Sequence, residues 1–236
     1  MRRRSGRAAV AVVLFLLSVL SLAAPAQAAP PSADPARPAV AAARQSIRQH
    51  VVSPRVAVAC SATFRCSSPL SGQVQQQWNW CGPASATTVL TNWAVPGVAQ
   101  SWVASRVGID EFRFALPTSM DNAINEKINA YYGQTLNPYS AYANITNSNL
   151  WNSVRGGVYY FDEVYIITVY AHKIWYPNAG TGIAHYLVIY GYSDQAQGYM
   201  VWDPAAGSLG GSHHLGKNDW ERVAYPGRFV IGPNYI

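Results

Sequence analysis

The chain has 236 residues, 50% of them hydrophobic and only 12% charged, with a formal net charge of +6. That charge sits at one end: Arg2, Arg3, Arg4 and Arg7, then Arg37, Arg44, Arg48 and Arg55, are opposed there by Asp34 alone. Residues 56–236 therefore carry nine Lys plus Arg against ten Asp plus Glu. A near-neutral body excludes the basic face that nucleic-acid binding needs, and its length suits one domain with a sizeable core.

The first 28 residues read as a signal peptide. "MRRRSGR" is a basic start, "AAVAVVLFLLSVLSLAA" an apolar stretch, and Ala26–Ala28 a small-x-small cleavage site. An uncleaved anchor and a twin-arginine signal are weaker readings of the same residues, and no later apolar run is long enough to span a membrane. The expectation is a protein exported from a bacterium, soluble after cleavage. Residues 29–55 are rich in Ala and Pro and nearly free of large apolar side chains, as a linker or propeptide would be. Three cysteines follow. In an oxidising compartment Cys60 and Cys66, a short loop apart, are a natural disulfide, which leaves Cys81 as an odd thiol.

Helices come next. "CGPASATTVLTNWA" opens one at Cys81, with Pro83 in the first turn, where its missing N–H costs nothing. "VAQSWVASRVG" is a second, stopped at Gly108. "TSMDNAINEKINAYYG" is a third, capped by Thr118 or Ser119, with Asp121 in its first turn and Gly133 at its end. "NSNLWNSVRGG" begins a fourth whose end is blurred by Gly156 and Gly157. Strand-like runs then take over: "EVYIITVYA", "AHYLVIYGY", "GYMVWDP" closed by Pro204, and "RVAYPGRFVIG". Helices followed by strands indicate an α+β fold, helices packed on an antiparallel sheet.

The chemistry gathers around "QQQWNWCGPAS". A cysteine at a helix N-terminus meets free backbone N–H groups and the positive end of the dipole, which favour thiolate over thiol. Gln75, six residues upstream, is placed to help the Cys81 amide hold an oxyanion, with Gln76 and Gln77 competing for that role. His185 stands at the mouth of a strand. The other histidines are less apt: His50 is in the linker, His172 follows a strand, and His213–His214 fall in a Gly-rich loop. Asp203 ends the strand after that of His185, where its carboxylate can orient the imidazole. "GSLGG" is too short for a phosphate loop. The His pair reads as surface residues rather than metal ligands, and "NIT" at Asn144 is a glycosylation sequon only where the source glycosylates, which the bacterial look of the signal does not favour. No cofactor or metal is expected.

A Gln, then "WCGPAS", a distant "HYLVIYGY" and "DPAAG" resemble the papain-like cysteine peptidases of the bacteriocin-processing group, cysteine peptidase family thirty-nine, over roughly Gln73 to Gly207. The resemblance implies a papain-like α+β fold for residues 56–236, with Cys81 as nucleophile, His185 as general base, Asp203 as orienting residue and Gln75 as oxyanion donor. It implies a cysteine peptidase acting on peptides or proteins through a thioester. Double-glycine specificity does not carry over, because the transporter-linked members work beside an exporter and this chain has none. An amidase or acyl-transfer enzyme using the same Cys and His (a cell-wall peptide hydrolase, or a transglutaminase-like enzyme) stays open, as does a binding module without turnover. Oligomeric state is not legible.

Overall fold

The computed structural model describes residues 59–60, 65–68, 70–109, 114–133, 135 and 137–234. The expected signal peptide and linker, residues 1–55, lie outside these. In chain order the elements are β1 (Ala59–Cys60), β2 (Arg65–Ser67), α1 (Cys81–Asn92), α2 (Gln100–Val107), α3 (Pro117–Tyr132), β3 (Tyr139–Tyr142), α4 (Asn147–Phe161), β4 (Tyr165–Tyr170), β5 (Ala184–Ser193), β6 (Gly198–Asp203), β7 (Gly211–Gly216), α5 (Trp220–Val223) and β8 (Val230–Pro233). None of the described helices is long and apolar enough to cross a membrane.

Among the described residues every strand pairing is antiparallel. The main run is β7-β6-β5-β4-β8-β3, and the β1–β2 hairpin pairs with the far end of β5, beyond the reach of β4. The central strands are covered on both faces, so their sequences read as apolar runs rather than an alternation. Alternate residues nonetheless serve different cores. Ile167, Val169, Leu187 and Ile189 pack with Leu150, Val154 and Val158 of α4 and Trp220 of α5. Ile166, Tyr186 and Val188 pack with Val89 and Leu90 of α1 and with Met120, Ile124 and Ile128 of α3. The expected α+β architecture, helices on an antiparallel sheet, is what forms.

Three helices behave largely as their sequences ask. α1 starts at Cys81, and α2 and α3 stop at Gly108 and Gly133, both left-handed with φ of 71° and 64°. The start of α3 differs from expectation. Neither Thr118 nor Ser119 caps it; Pro117 takes the first helical position, with Leu116 before it. Asp121 accepts from the Ala141 amide at 2.8 Å instead, tying α3 to β3. α4 runs straight through Gly156 and Gly157 to Phe161. Packing dictates this: a Cβ on Gly157 would land 2.0 Å from the Tyr165 hydroxyl, which donates to the Ser153 carbonyl at 2.7 Å.

Four strands went unforeseen: the short β1 and β2, and two longer ones. "YSAY" forms β3 and "GSHHLG" forms β7, so His213 and His214 belong to a strand and not to a loop. "RVAYPGRFVIG" is not one strand. Trp220–Val223 is a helical turn, Ala224 makes a single antiparallel bridge to Val169, Pro226–Gly227 is a reverse turn, and Val230–Pro233 forms β8.

Candidate active site

α1 is fixed at its first turn by contacts that leave no room for a side chain after Cys81. A Cβ on Gly82 would sit 2.9 Å from the Ala115 methyl and 3.0 Å from the Met120 sulfur. Ala115 is in turn held by its carbonyl, which accepts from the Tyr186 hydroxyl at 2.6 Å. The thiol itself is buried, 3% exposed, at the positive end of a twelve-residue helix. Pro83, lacking an N–H, sits where α1 has no carbonyl to offer it.

His185 is the second residue of β5 and is also buried. Its Nε2 lies 2.8 Å from Asp203 Oδ1, at the end of the neighbouring β6. That leaves Nδ1 on the side of Cys81, which acts on the imidazole together with Asp203. Burial pushes His185 downward. The Asp203 hydrogen bond, the Cys81 hydrogen bond and the charges of both partners outweigh it and raise the ring to about 10. Asp203 is fully buried, which pushes its carboxyl up. The hydrogen bond and charge of His185, the Ala205 amide and the Tyr176 hydroxyl overcome this and hold it below its ordinary value. At neutral pH the ring is thus an imidazolium set between the Asp203 carboxylate and Cys81.

Sequence reasoning missed two members. Trp175 Nε1 and the Tyr176 hydroxyl both donate to Asp203 Oδ2, at 2.7 and 2.8 Å. Oδ1 receives the Ala205 amide at 2.8 Å beside His185. They come from "KIWYPNAG", a loop after β4 that carries no periodic signal; only the fold brings it to β6.

Gln75 is near the site, with its side chain committed elsewhere. Its backbone N–H donates to the Pro204 carbonyl, next to Asp203, at 2.7 Å. Its side-chain Nε2 donates to the carbonyls of Gln77 (3.0 Å) and Trp78 (2.9 Å), which uses both amide hydrogens. Oε1 is buried and finds no partner among the described residues. Gln76 donates its backbone N–H to Gln100 Oε1 at 3.1 Å, and Gln77 is exposed. The loop before α1 is strapped down on both sides: Gln100 Nε2 holds the Val74 carbonyl at 2.7 Å, and Gln73 bonds Thr88 and Trp202. His172 is elsewhere, packed on Tyr170. Among the described residues no three His, Cys, Asp or Glu side chains gather to hold a metal ion.

The family described as "Peptidase_C39 like family" matches residues 69–226, two-thirds of the chain and all of the site. The chain belongs to this family of peptidases. Solved structures similar to it include a double glycine motif protease from an AMS/PCAT transporter in complex with the leader peptide. That match has 17% identity and a TM-score of 0.47, covering 71% of this chain and 94% of that one. The peptidase domain of Streptococcus ComA, a bifunctional ABC transporter involved in a quorum sensing pathway, matches with 13% identity and a TM-score of 0.46, covering 70% and 98%. A C39-like peptidase from Bacillus anthracis matches with 12% identity and a TM-score of 0.41, covering 68% and 92%. No curated protein matches this peptidase in sequence.

Proposed function

We propose that the chain is an exported cysteine peptidase in which Cys81 is the nucleophile, His185 the general acid and base, and Asp203 the orienting carboxylate. The observation that carries this reading is the buried His185–Asp203 pair, Nε2 to Oδ1 at 2.8 Å, together with the buried Cys81 at the start of α1; the raised His185 agrees with it. A ring so charged at neutral pH is ready to pair with a thiolate, and the α1 dipole favours the same state.

In the reaction that follows, the Cys81 sulfur attacks the scissile carbonyl carbon, and its oxygen becomes an oxyanion. The Cys81 amide, at the first position of α1, has no helical carbonyl to bond and is free to hold that oxygen. Gln75 joins it by giving up the Trp78 carbonyl, turning one amide hydrogen toward the oxyanion. His185 then passes its proton to the departing amine as the C–N bond breaks, leaving a thioester on Cys81. Neutral His185 next takes a proton from water, the hydroxide displaces sulfur, and the acid leaves with the thiolate–imidazolium pair restored. Asp203 stays ionised throughout and fixes which ring nitrogen faces sulfur.

Export rests on the basic and apolar start of the chain and on Ala26–Ala28. The hairpin register, which sets Cys60 directly opposite Cys66, supports a disulfide there. Directly opposed antiparallel residues have Cα atoms about 4.5–5.5 Å apart, inside the range a disulfide spans. The side chains of both cysteines lie outside the described residues. The deciding experiment is substrate profiling of the full chain and its Cys81→Ala variant, with a peptide library and with peptidoglycan fragments in parallel. Cleavage of linear peptides by the native chain alone supports the peptidase reading. Cleavage confined to peptidoglycan fragments would make the protein an amidase, and equal release by both proteins would remove Cys81 from the chemistry.

A further inference from the structure

We propose that Trp175 and Tyr176 are positioning residues for this reaction: by donating side by side to Asp203 Oδ2 they hold the carboxylate in the orientation that aims Oδ1, and through it the His185 ring, at Cys81. The proposal rests on the peptidase reading above.

The geometry is that of a filled carboxylate. A carboxylate offers about four lone-pair sites, and four donors take them: His185 Nε2 and the Ala205 amide on Oδ1, Trp175 Nε1 and the Tyr176 hydroxyl on Oδ2. The three N–H donors lie at 2.7–2.8 Å, short for neutral pairs and normal for bonds to a charged acceptor, and the Tyr176 hydroxyl lies at an ordinary 2.8 Å. Turning the carboxyl to serve His185 badly would cost the two Oδ2 bonds at once. The Leu209 carbonyl lies 3.4 Å from the Tyr176 hydroxyl, too far to win its proton from Asp203.

The two rings are themselves held. Trp175 lies flat against His213 of β7, ring centres 4.0 Å apart at 14°, and His213 Nε2 donates to the Leu209 carbonyl at 2.9 Å. Tyr176 sets its ring against that of His185, 5.4 Å between centres at 71°. The loop therefore braces the dyad twice, through the carboxylate and by contact with the imidazole. This gives His213 a role as the backing of Trp175.

The test uses Trp175→Phe and Tyr176→Phe in the full chain, changes that remove each donor; the second keeps its ring and the first leaves a smaller aromatic ring in place of the indole. On a peptide chosen from the library, kcat should fall about tenfold in each, the worth of a hydrogen bond to a charged group, while KM stays within about twofold. The alkaline limb of kcat/KM should move to lower pH, because a carboxylate free to turn supports the imidazolium less. The other groups facing this site are Cys81 from α1, Tyr176 itself, Tyr186 from β5 and His213 from β7. Burial and neighbouring negative charge hold both tyrosines above the limb, and His213 reaches Asp203 only through the Trp175 ring. Melting curves accompany each assay. Lower melting temperatures with kcat and the limb unchanged would make the pair merely structural and overturn the proposal. So would a raised KM at constant kcat, or a limb that rises. Iodoacetamide separates this failure from that of the peptidase reading. If native Cys81 is alkylated at pH 6 no faster than in His185→Ala, the peptidase reading falls. If the native advantage is present but both Phe variants keep native kcat and limb, only the positioning assignment falls.

Discussion

Replacing Asp203 by Asn keeps the shape of the side chain and removes one charge and one acceptor. Whichever way the amide turns, its NH2 must face two donors. Against Oδ2's partners it meets Tyr176, whose hydroxyl can rotate to accept, and Trp175, whose indole cannot. Against Oδ1's partners it meets the Ala205 amide, which cannot accept either, and His185. One buried donor is stranded in both cases, at a cost of about 1–3 kcal/mol. In a chain of this size that lowers the melting temperature by roughly 2–4 °C per kcal/mol. The charge effect is separable by pH. Asp203 is held below its ordinary value and His185 above its own, so their mutual attraction is fully present between the ordinary carboxylate and imidazole values. It fades as pH falls through the Asp203 carboxyl, and again as pH rises through about 10. Thermal unfolding followed by circular dichroism from pH 3 to 10.5 should show native stability falling at both ends, and a flatter curve for Asp203→Asn. Its alkaline activity limb should move down toward ordinary imidazole, with kcat reduced. A variant that melts like the native chain and keeps its limb near pH 10 would refute the assignment of the buried ion pair.

Native Cys81 should react with iodoacetamide at pH 6 at least about tenfold faster than in His185→Ala, as expected of a thiol paired with an imidazolium; equal rates would mark Cys81 as merely buried. Gln75→Ala should lower kcat by about 10²–10³ if the amide reaches the oxyanion. An unchanged kcat with a lower melting temperature would confine Gln75 to the turn it closes over Gln77 and Trp78. Gly157→Ala forces a methyl onto the Tyr165 hydroxyl and should destabilise by about 1–3 kcal/mol, seen as a lower denaturant midpoint with kcat unaffected. Mass mapping of the unreduced protein should find Cys60 joined to Cys66 and Cys81 free; a bridge that includes Cys81 would end the catalytic reading.

Legibility followed burial. β4, β5 and β6 lie inside the sheet and read directly as apolar runs, and Cys81 announced its helix through the Gly-Pro step behind it. β3 and β7 are the two outer strands of the main run. Half-exposed, they carry "YSAY" and "GSHHLG", whose polar residues look like loop. Gly156 and Gly157 blur the end of α4 in the sequence because glycine is a poor helix former, a local preference overridden by the close approach of Tyr165. His185 and Asp203 stand out because each opens or closes a visible strand, and the pairing of β5 with β6 brings them to 2.8 Å. Trp175 and Tyr176 were not, since nothing in a loop sequence says that two donors converge on one oxygen.

The strapping of the loop before α1 bears on how the molecule matures. The Gln73 carbonyl is bound by Trp202, 129 positions away, and the Gln75 amide by Pro204. Contacts so distant in sequence form late, because the chain between them must be ordered first. The thiol side of the site comes from the beginning of the domain and the imidazole and carboxylate from near its end. A partly synthesised or unfolded chain therefore contains the reactive groups without the arrangement. On the proposed function, proteolytic competence would arrive only once these distant segments have come together, so a chain still extended could not cleave its neighbours.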